Sequence, residues 1–305
     1  MKIKKIIKKI NPARHFSLEI NSNLEKTIVL LGSGRSGTTF LSNIINYKND
    51  YRYMFEPFRY SKVKIIKNLG NVVYLRKNER YLIIKKVLSG KIQNSWINHL
   101  NKKIISKKRL IKSIRLCFMI NYLRRNFPEV SLIFIIRNPF NVAKSRINKK
   151  WDHGIQNILK NRKLVNDYLK EKENIIKRVL EQGSEYEKHF LRWCIENNIM
   201  IKQSNKNQMF VFFEDLIMYP EKEIKKIFYF LDIKYKESVL RKMKKPSRTT
   251  NKKNIETSEI LSTNPGVSCE KIEKCKKILE EFNLHRIYDE KGTPNKKELK
   301  KLLKK

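Results

Sequence analysis

Apolar positions fall into two rhythms along the chain, and their alternation predicts the architecture. Short β-like runs occupy residues 27–31, 51–55, 110–114, 130–136 and 209–213. The fourth of these, VSLIFII, has the uninterrupted apolar character of a strand buried on both faces. Helical spacing fills 38–47, a stretch ending at Asn126, about 151–207, and about 221–231. Helices that separate buried strands predict a three-layer α/β fold with a central parallel sheet. No internal repeat or linker interrupts the pattern, so one domain is expected over 27–290. Two basic flanks remain, an N-terminal extension at 1–26 and a C-terminal tail at 291–305. In the first, Ile3, Ile6, Ile7 and Ile10 recur at helical spacing among Lys2, Lys4, Lys5, Lys8 and Lys9. Such a helix can lie as a peripheral contact on an anionic membrane or pack on the domain, and the spacing leaves both open. The second, with seven Lys and one acid, reads as a frayed polar tail.

Charge adds a partner class without choosing a partner. The 305 residues include 69 Lys plus Arg against 29 Asp plus Glu, a net charge of +40. With 40% hydrophobic and 10% aromatic residues the chain can bury a core, which excludes a disordered basic tail. Basicity favours nucleic acid, an acidic membrane or a phosphorylated ligand. Lys, Ile and Asn are jointly abundant, as AT-rich codons dictate, so part of the charge is compositional. The four cysteines form no CxxC pair, which argues against a structural metal or disulfide framework. No apolar run approaches the roughly 20 residues of a membrane helix, and the N-terminus lacks a signal-peptide pattern. A soluble, cytoplasmic protein with reduced thiols is the expectation.

Two motifs carry candidate chemistry. Gly32-Ser33-Gly34-Arg35-Ser36-Gly37-Thr38-Thr39 follows the first strand and opens a helix, where backbone N–H groups and the helix dipole cradle a phosphate. The spacing is that of a P-loop, but Thr38 stands where the lysine should be. A nucleoside-triphosphatase reading weakens accordingly, because that lysine reaches the β- and γ-phosphates. The remaining cradle suits a single 5′-phosphate. Arg137-Asn138-Pro139 ends the fourth strand, at the edge where open α/β sheets bind ligands, and Ser145 lies about two helical turns after Asn138. An arginine fork with a helix-borne hydroxyl makes a second anion site. The pair predicts a nucleotide with phosphates at two separate positions.

GSGRSGTTF at 32–40 resembles the 5′-phosphosulfate loop of sulfotransferases that use 3′-phosphoadenosine 5′-phosphosulfate, and RNPFNVAKSR at 137–146 is similar to their 3′-phosphate motif, with Asn138 replacing the usual Asp. Phe55-Glu56-Pro57-Phe58, Lys112-Ser113-Ile114-Arg115 and Phe213-Glu214-Asp215-Leu216 look like stretches of the Golgi-type and bacterial carbohydrate branch. The resemblance implies a P-loop-like phosphosulfate-binding loop in which the backbone from Gly34 to Thr39 and the hydroxyls of Ser36, Thr38 and Thr39 hold the donor. Gly37 lies within that loop. It further implies Arg35 beside the bridging oxygen, Arg137 and Ser145 on the 3′-phosphate, and Arg248 in a loop that covers the nucleotide. Glu56 is where the resembling carbohydrate enzymes place their base. The Cys275 of residues 271–284 matches a helical cysteine of that branch, whereas a tryptophan expected ahead of this helix is missing.

The implied reaction needs no metal. A sulfuryl group carries one negative charge fewer than a phosphoryl group, so fixed dipoles and a cation can neutralise the leaving phosphate. The expected enzyme therefore sulfates a hydroxyl of a carbohydrate or glycoconjugate, with no metal and no specific nucleic acid. Two alternatives stand beside it: a nucleotide or small-molecule kinase, opposed by Thr38, and a basic nucleic-acid-binding protein, supported only by the charge. Lys112 and Arg115 read either as contacts to anions or as a solvated strand end. His99 and His153 read as structural, and Glu214 and Asp215 as cap and scaffold.

Overall fold

A computed structural model describes residues 12–205, 208–243, 267–288 and 293–303. The N-terminal isoleucine–lysine helix and Arg248 lie outside the described residues. Five strands form the central sheet: β1 (Thr27–Leu31), β2 (Arg52–Phe55), β3 (Arg109–Ser113), β4 (Ser131–Ile136) and β5 (Met209–Phe212). Their order is β2-β3-β1-β4-β5, and every neighbouring pair is parallel. The expected fold class is therefore the observed one.

Alternation along the strands divides the core. Val29 and Leu31 of β1, with Ile111, Phe134 and Phe212, face one layer, while Ile28 and Leu30, with Leu110, Ile133 and Val211, face the other. The second layer is built from α1 (Thr38–Ile45) and a later helix, Pro220–Phe230. The first takes most of the remaining helices: α2 (Tyr81–Leu88), α3 (Ile120–Asn126), α4 (Pro139–Ile147), α5 (Glu173–Gln182) and α6 (Glu185–Gln203). Beyond β5 come α7 (Phe213–Met218), α8 (Pro220–Phe230), α9 (Cys269–Glu281) and α10 (Lys296–Leu303). Fully burying one Leu or Phe stabilises by about 1.5–3 kcal/mol, so both faces of β1 anchor the loop that follows it.

Three differences from the expected elements have local causes. The long helical stretch over 151–207 is four α-helical pieces that start after Gly154, at a left-handed φ of 61°, and are broken where Asn161 caps Leu164, at the 3₁₀ turn Lys170–Lys172, and where Ser184 caps Glu187. The basic extension is packed from residue 12 onward: Ala13, Ser17 and Leu24 are buried, and Leu18–Glu19 pairs in parallel with Ile105–Ser106. Within the basic tail, α10 buries Leu299, and Lys296 reaches Asp215 at 2.7 Å and Glu223 at 3.1 Å. An amphipathic turn with two carboxylates to meet docks where a uniformly solvated segment would fray.

Candidate active site

The carboxyl ends of the five strands converge on one edge, and each is followed by a residue of interest: Gly32, Glu56, Ile114, Arg137 and Phe213. The loop after β1 turns tightly because two residues take left-handed backbone conformations, Arg35 at φ 78° and Gly37 at φ 93°. A Cβ on Gly37 would run into the Phe213 ring, and one on Gly34 would stand 2.6 Å from the Trp151 ring. Glycine is required at both positions. The first turn of α1 carries no side-chain cap, leaving its N–H groups to a ligand. Inside this cradle the buried Ser36 hydroxyl has no protein partner. A buried hydroxyl without a partner is costly, so the loop suits an oxygen-rich anion.

Beneath the loop lies a charged cluster. Glu196 on α6 accepts from Ser33 Oγ at 2.5 Å, from Arg146 Nη2 at 2.8 Å and from Arg192 Nε at 2.6 Å. Arg146, the residue after Ser145 on α4, also donates to Ser33 Oγ at 2.6 Å and through Nε to the Gly34 carbonyl at 3.1 Å. Burial pushes the Glu196 pKa up, but Arg192, Arg146 and the Ser33 hydroxyl outweigh it and bring the carboxyl down to about 2. Sequence reasoning did not single out Glu196. Only its pairing with Ser33 across 163 residues and with Arg146 across 50 identifies it.

Arg137 leaves β4 with its guanidinium over the Phe213 ring, 4.6 Å from the centroid, and Nη1 3.4 Å from the Arg35 carbonyl. Its Nε has no protein partner. Ser145 Oγ accepts from Arg35 Nε at 3.0 Å, so the two motifs of the sequence meet directly. Asn138 caps α4 by accepting from the Phe140 N–H at 2.9 Å, which is the role the motif's usual aspartate would serve. Glu214 is indeed scaffold: its carboxylate accepts from the Asn138 N–H at 2.9 Å and from Tyr288 Oη at 3.1 Å. Burial raises this carboxyl to about 7.

Glu56, at φ 46° and buried, sits just past β2. Lys112 Nζ lies 2.5 Å from one carboxylate oxygen, and Arg115 Nη1 3.4 Å from the other. The Ile114 N–H approaches both at 3.2–3.3 Å. Lys112 and Arg115 are thus not a solvated strand end; both reach Glu56, and the buried Nε of Arg115 has no protein partner. His99 stacks with Trp96 and donates from Nδ1 to the Trp96 carbonyl at 2.7 Å, a packing role. His153 lies near His189, and its carbonyl accepts from Arg192 at 2.8 Å. Among the described residues no group of three or more His, Cys, Asp and Glu could hold a metal, and the four cysteines are unpaired.

Comparison with known proteins places this geometry. Residues 25–281 match the family described as the sulfotransferase domain. No curated protein sequence matches the chain significantly. Among solved structures it is similar to the sulfotransferase domain from the curacin biosynthetic pathway, at 14% identity and TM-score 0.46, covering 84% of this chain and 97% of that one. It is similar to the sulfotransferase domain of the Synechococcus PCC 7002 olefin synthase at 13% identity and TM-score 0.46, over 90% and 96%. Mouse sulfotransferase SULT7A1 complexed with PAP is similar at 16% identity and TM-score 0.44, over 90% and 89%. With a match spanning the sheet, both anion motifs and the helices that carry them, the chain belongs to the sulfotransferase domain family and is a sulfotransferase, of a family that draws its sulfuryl group from 3′-phosphoadenosine 5′-phosphosulfate.

Proposed function

We propose that this sulfotransferase moves the sulfuryl group of 3′-phosphoadenosine 5′-phosphosulfate onto a hydroxyl of a carbohydrate or glycoconjugate, with Glu56 as the base. The observation that carries the reading is the clamped Glu56 carboxylate on the same sheet edge as the uncapped loop. β2 is two strands from β1, about 10 Å at 4.8 Å per strand, which leaves room for a sulfur and an attacking oxygen between them. Lys112, Arg115 and the Ile114 N–H fix the carboxylate's orientation, as a positioned base requires.

On this reading the backbone from Gly34 to Thr39, including Gly37, and the hydroxyls of Ser36, Thr38 and Thr39 hold the 5′-phosphosulfate. Arg137 and Ser145 hold the 3′-phosphate. Ser145 accepts from Arg35 and keeps its own proton to donate to a phosphate oxygen, so Arg35 links the two ends of the donor. As the acceptor oxygen attacks sulfur in line, its proton passes to Glu56, the S–O bond to the nucleotide breaks, and Arg35 with the loop N–H groups neutralises the departing phosphate. On the same reading the catalytic unit is residues 27–290, and Arg248, outside the described residues, is assigned a contact with the nucleotide.

Thermal denaturation with 3′,5′-bisphosphoadenosine, without magnesium, tests the donor half. A ligand at a hundred times its Kd stabilises by about 2.7 kcal/mol, a rise of about 5–10 °C for a domain of this size. No rise at saturation overturns it. For the base, Glu56→Gln with an unchanged bisphosphoadenosine shift should lower turnover on carbohydrate acceptors at least about a hundredfold. Near-normal turnover ends the proposal for Glu56.

A further inference from the structure

The short parallel pair formed by Leu18–Glu19 and Ile105–Ser106 is inverted in polarity. Ser17, Glu19 and Ser106 point inward, where Ser17 and Ser106 are 0% and 1% exposed and Glu19 pairs with the buried Arg109 at 3.0 Å. The outward residues are the apolar ones: Phe16 at 56%, Leu18 at 45%, Ile20 at 51%, Ile104 at 42% and Ile105 at 54% exposure. Leu18 and Ile105 stand in register, so these side chains form one continuous face. A strand that places its polar residues inside and its apolar residues in water reverses the usual rule, and contiguous exposed apolar surface marks an interaction site.

Charge identifies the partner. Over residues 12–26 and 98–110 two acids, Glu19, which is paired inside, and the exposed Glu25, stand against seven Lys and Arg: Arg14, Lys26, Lys102, Lys103, Lys107, Lys108 and Arg109. Of these, Arg14, Lys102, Lys107 and Lys108 are exposed around the apolar face. An apolar centre flanked by more cations than acids fits an interface of hydrocarbon beneath anionic headgroups.

We propose that this face docks the protein on an anionic phospholipid bilayer, with Leu18, Ile20 and Ile105 entering the headgroup boundary. The pair lies at the amino-terminal edge of the sheet, two residues before β3, whereas the candidate active site lies at the carboxyl edge. The docked molecule therefore presents its site away from the bilayer, about 17 Å higher along the five residues of β1. The inference is independent of the acceptor's identity.

Co-sedimentation of the full chain with vesicles at physiological salt tests it. Phosphatidylcholine vesicles containing about one-third phosphatidylserine should pellet the protein, and phosphatidylcholine alone should not. Leu18→Thr with Ile105→Thr, which place strand-favouring β-branched residues at both positions, should weaken binding at least about tenfold. Lys107→Glu should weaken it about fivefold or more. The thermal shift with 3′,5′-bisphosphoadenosine, unchanged in both variants, reports an intact fold. Absence of pelleting overturns the proposal, as does binding that responds to Lys107→Glu but not to the apolar pair, which is mere electrostatic adsorption. Self-association abolished by the same substitutions, with no vesicle binding, assigns the face to a second copy and also overturns it.

Discussion

Replacing Glu196 by glutamine removes the anion that two arginines share beneath the phosphate loop, and the cost follows from the structure in two ways. The first starts from titration: a carboxyl lowered from 4.5 to about 2 favours the folded state by about 3 kcal/mol when ionised. The second starts from desolvation: Arg146, itself buried, would lose its carboxylate partner, and breaking such a pair costs about 3–5 kcal/mol. Urea denaturation at pH 7 should therefore show Glu196→Gln less stable by about 3–4 kcal/mol, with an unchanged m-value. The pH dependence is the sharper test. Because the folded pKa is depressed, the contribution is complete above about 4.5 and disappears as pH falls toward 2. The gap between wild type and variant should therefore narrow between about pH 5 and pH 3. A loss below about 1 kcal/mol, or a gap constant across that range, refutes the reasoning. Since Arg146 also holds the Gly34 carbonyl, the variant should show a smaller thermal shift with 3′,5′-bisphosphoadenosine.

Three further outcomes are expected. Gly37→Ala forces a Cβ into the Phe213 ring at φ 93°, so bisphosphoadenosine binding measured by calorimetry should fall by at least about tenfold, with a stability loss of about 1–3 kcal/mol. Glu214 titrates in the opposite sense to Glu196: its raised pKa favours folding below about 4.5, and that contribution is lost as pH rises through about 7. Glu214→Gln, which keeps one acceptor oxygen for the Asn138 N–H and offers an amide donor to the Tyr288 hydroxyl, should flatten the fall in melting temperature between about pH 5 and pH 8; an unchanged slope contradicts the assignment. Arg115→Ala leaves Lys112 on Glu56 and should lower turnover by about tenfold while leaving the bisphosphoadenosine shift intact.

Much of the fold was legible because its strands are buried on both faces and so lack polar interruptions; β1 and β4 are the clearest cases. The loop from Gly32 to Thr39 was equally legible, since its backbone demands glycine at 37 and its position between a strand and a helix is local. What escaped were contacts across long separations. Glu196 meets Ser33 across 163 residues and Tyr288 meets Glu214 across 74, and neither leaves a periodic trace. The breaks at Asn161 and Ser184 did leave cap signatures, which the helical spacing around them obscured. Arg35 shows a different limit: the motif places it on the donor, but its bond to Ser145 depends on how α4 lies against the loop.

The order β2-β3-β1-β4-β5 divides labour between the two sides of the molecule. Everything proposed for the nucleotide hangs from the central strand and those on one side, while Glu56 and its clamp hang from the other. On the proposed reading, substitutions confined to the exposed positions between β2 and β3 would act on the acceptor side and leave the grip on the activated donor untouched.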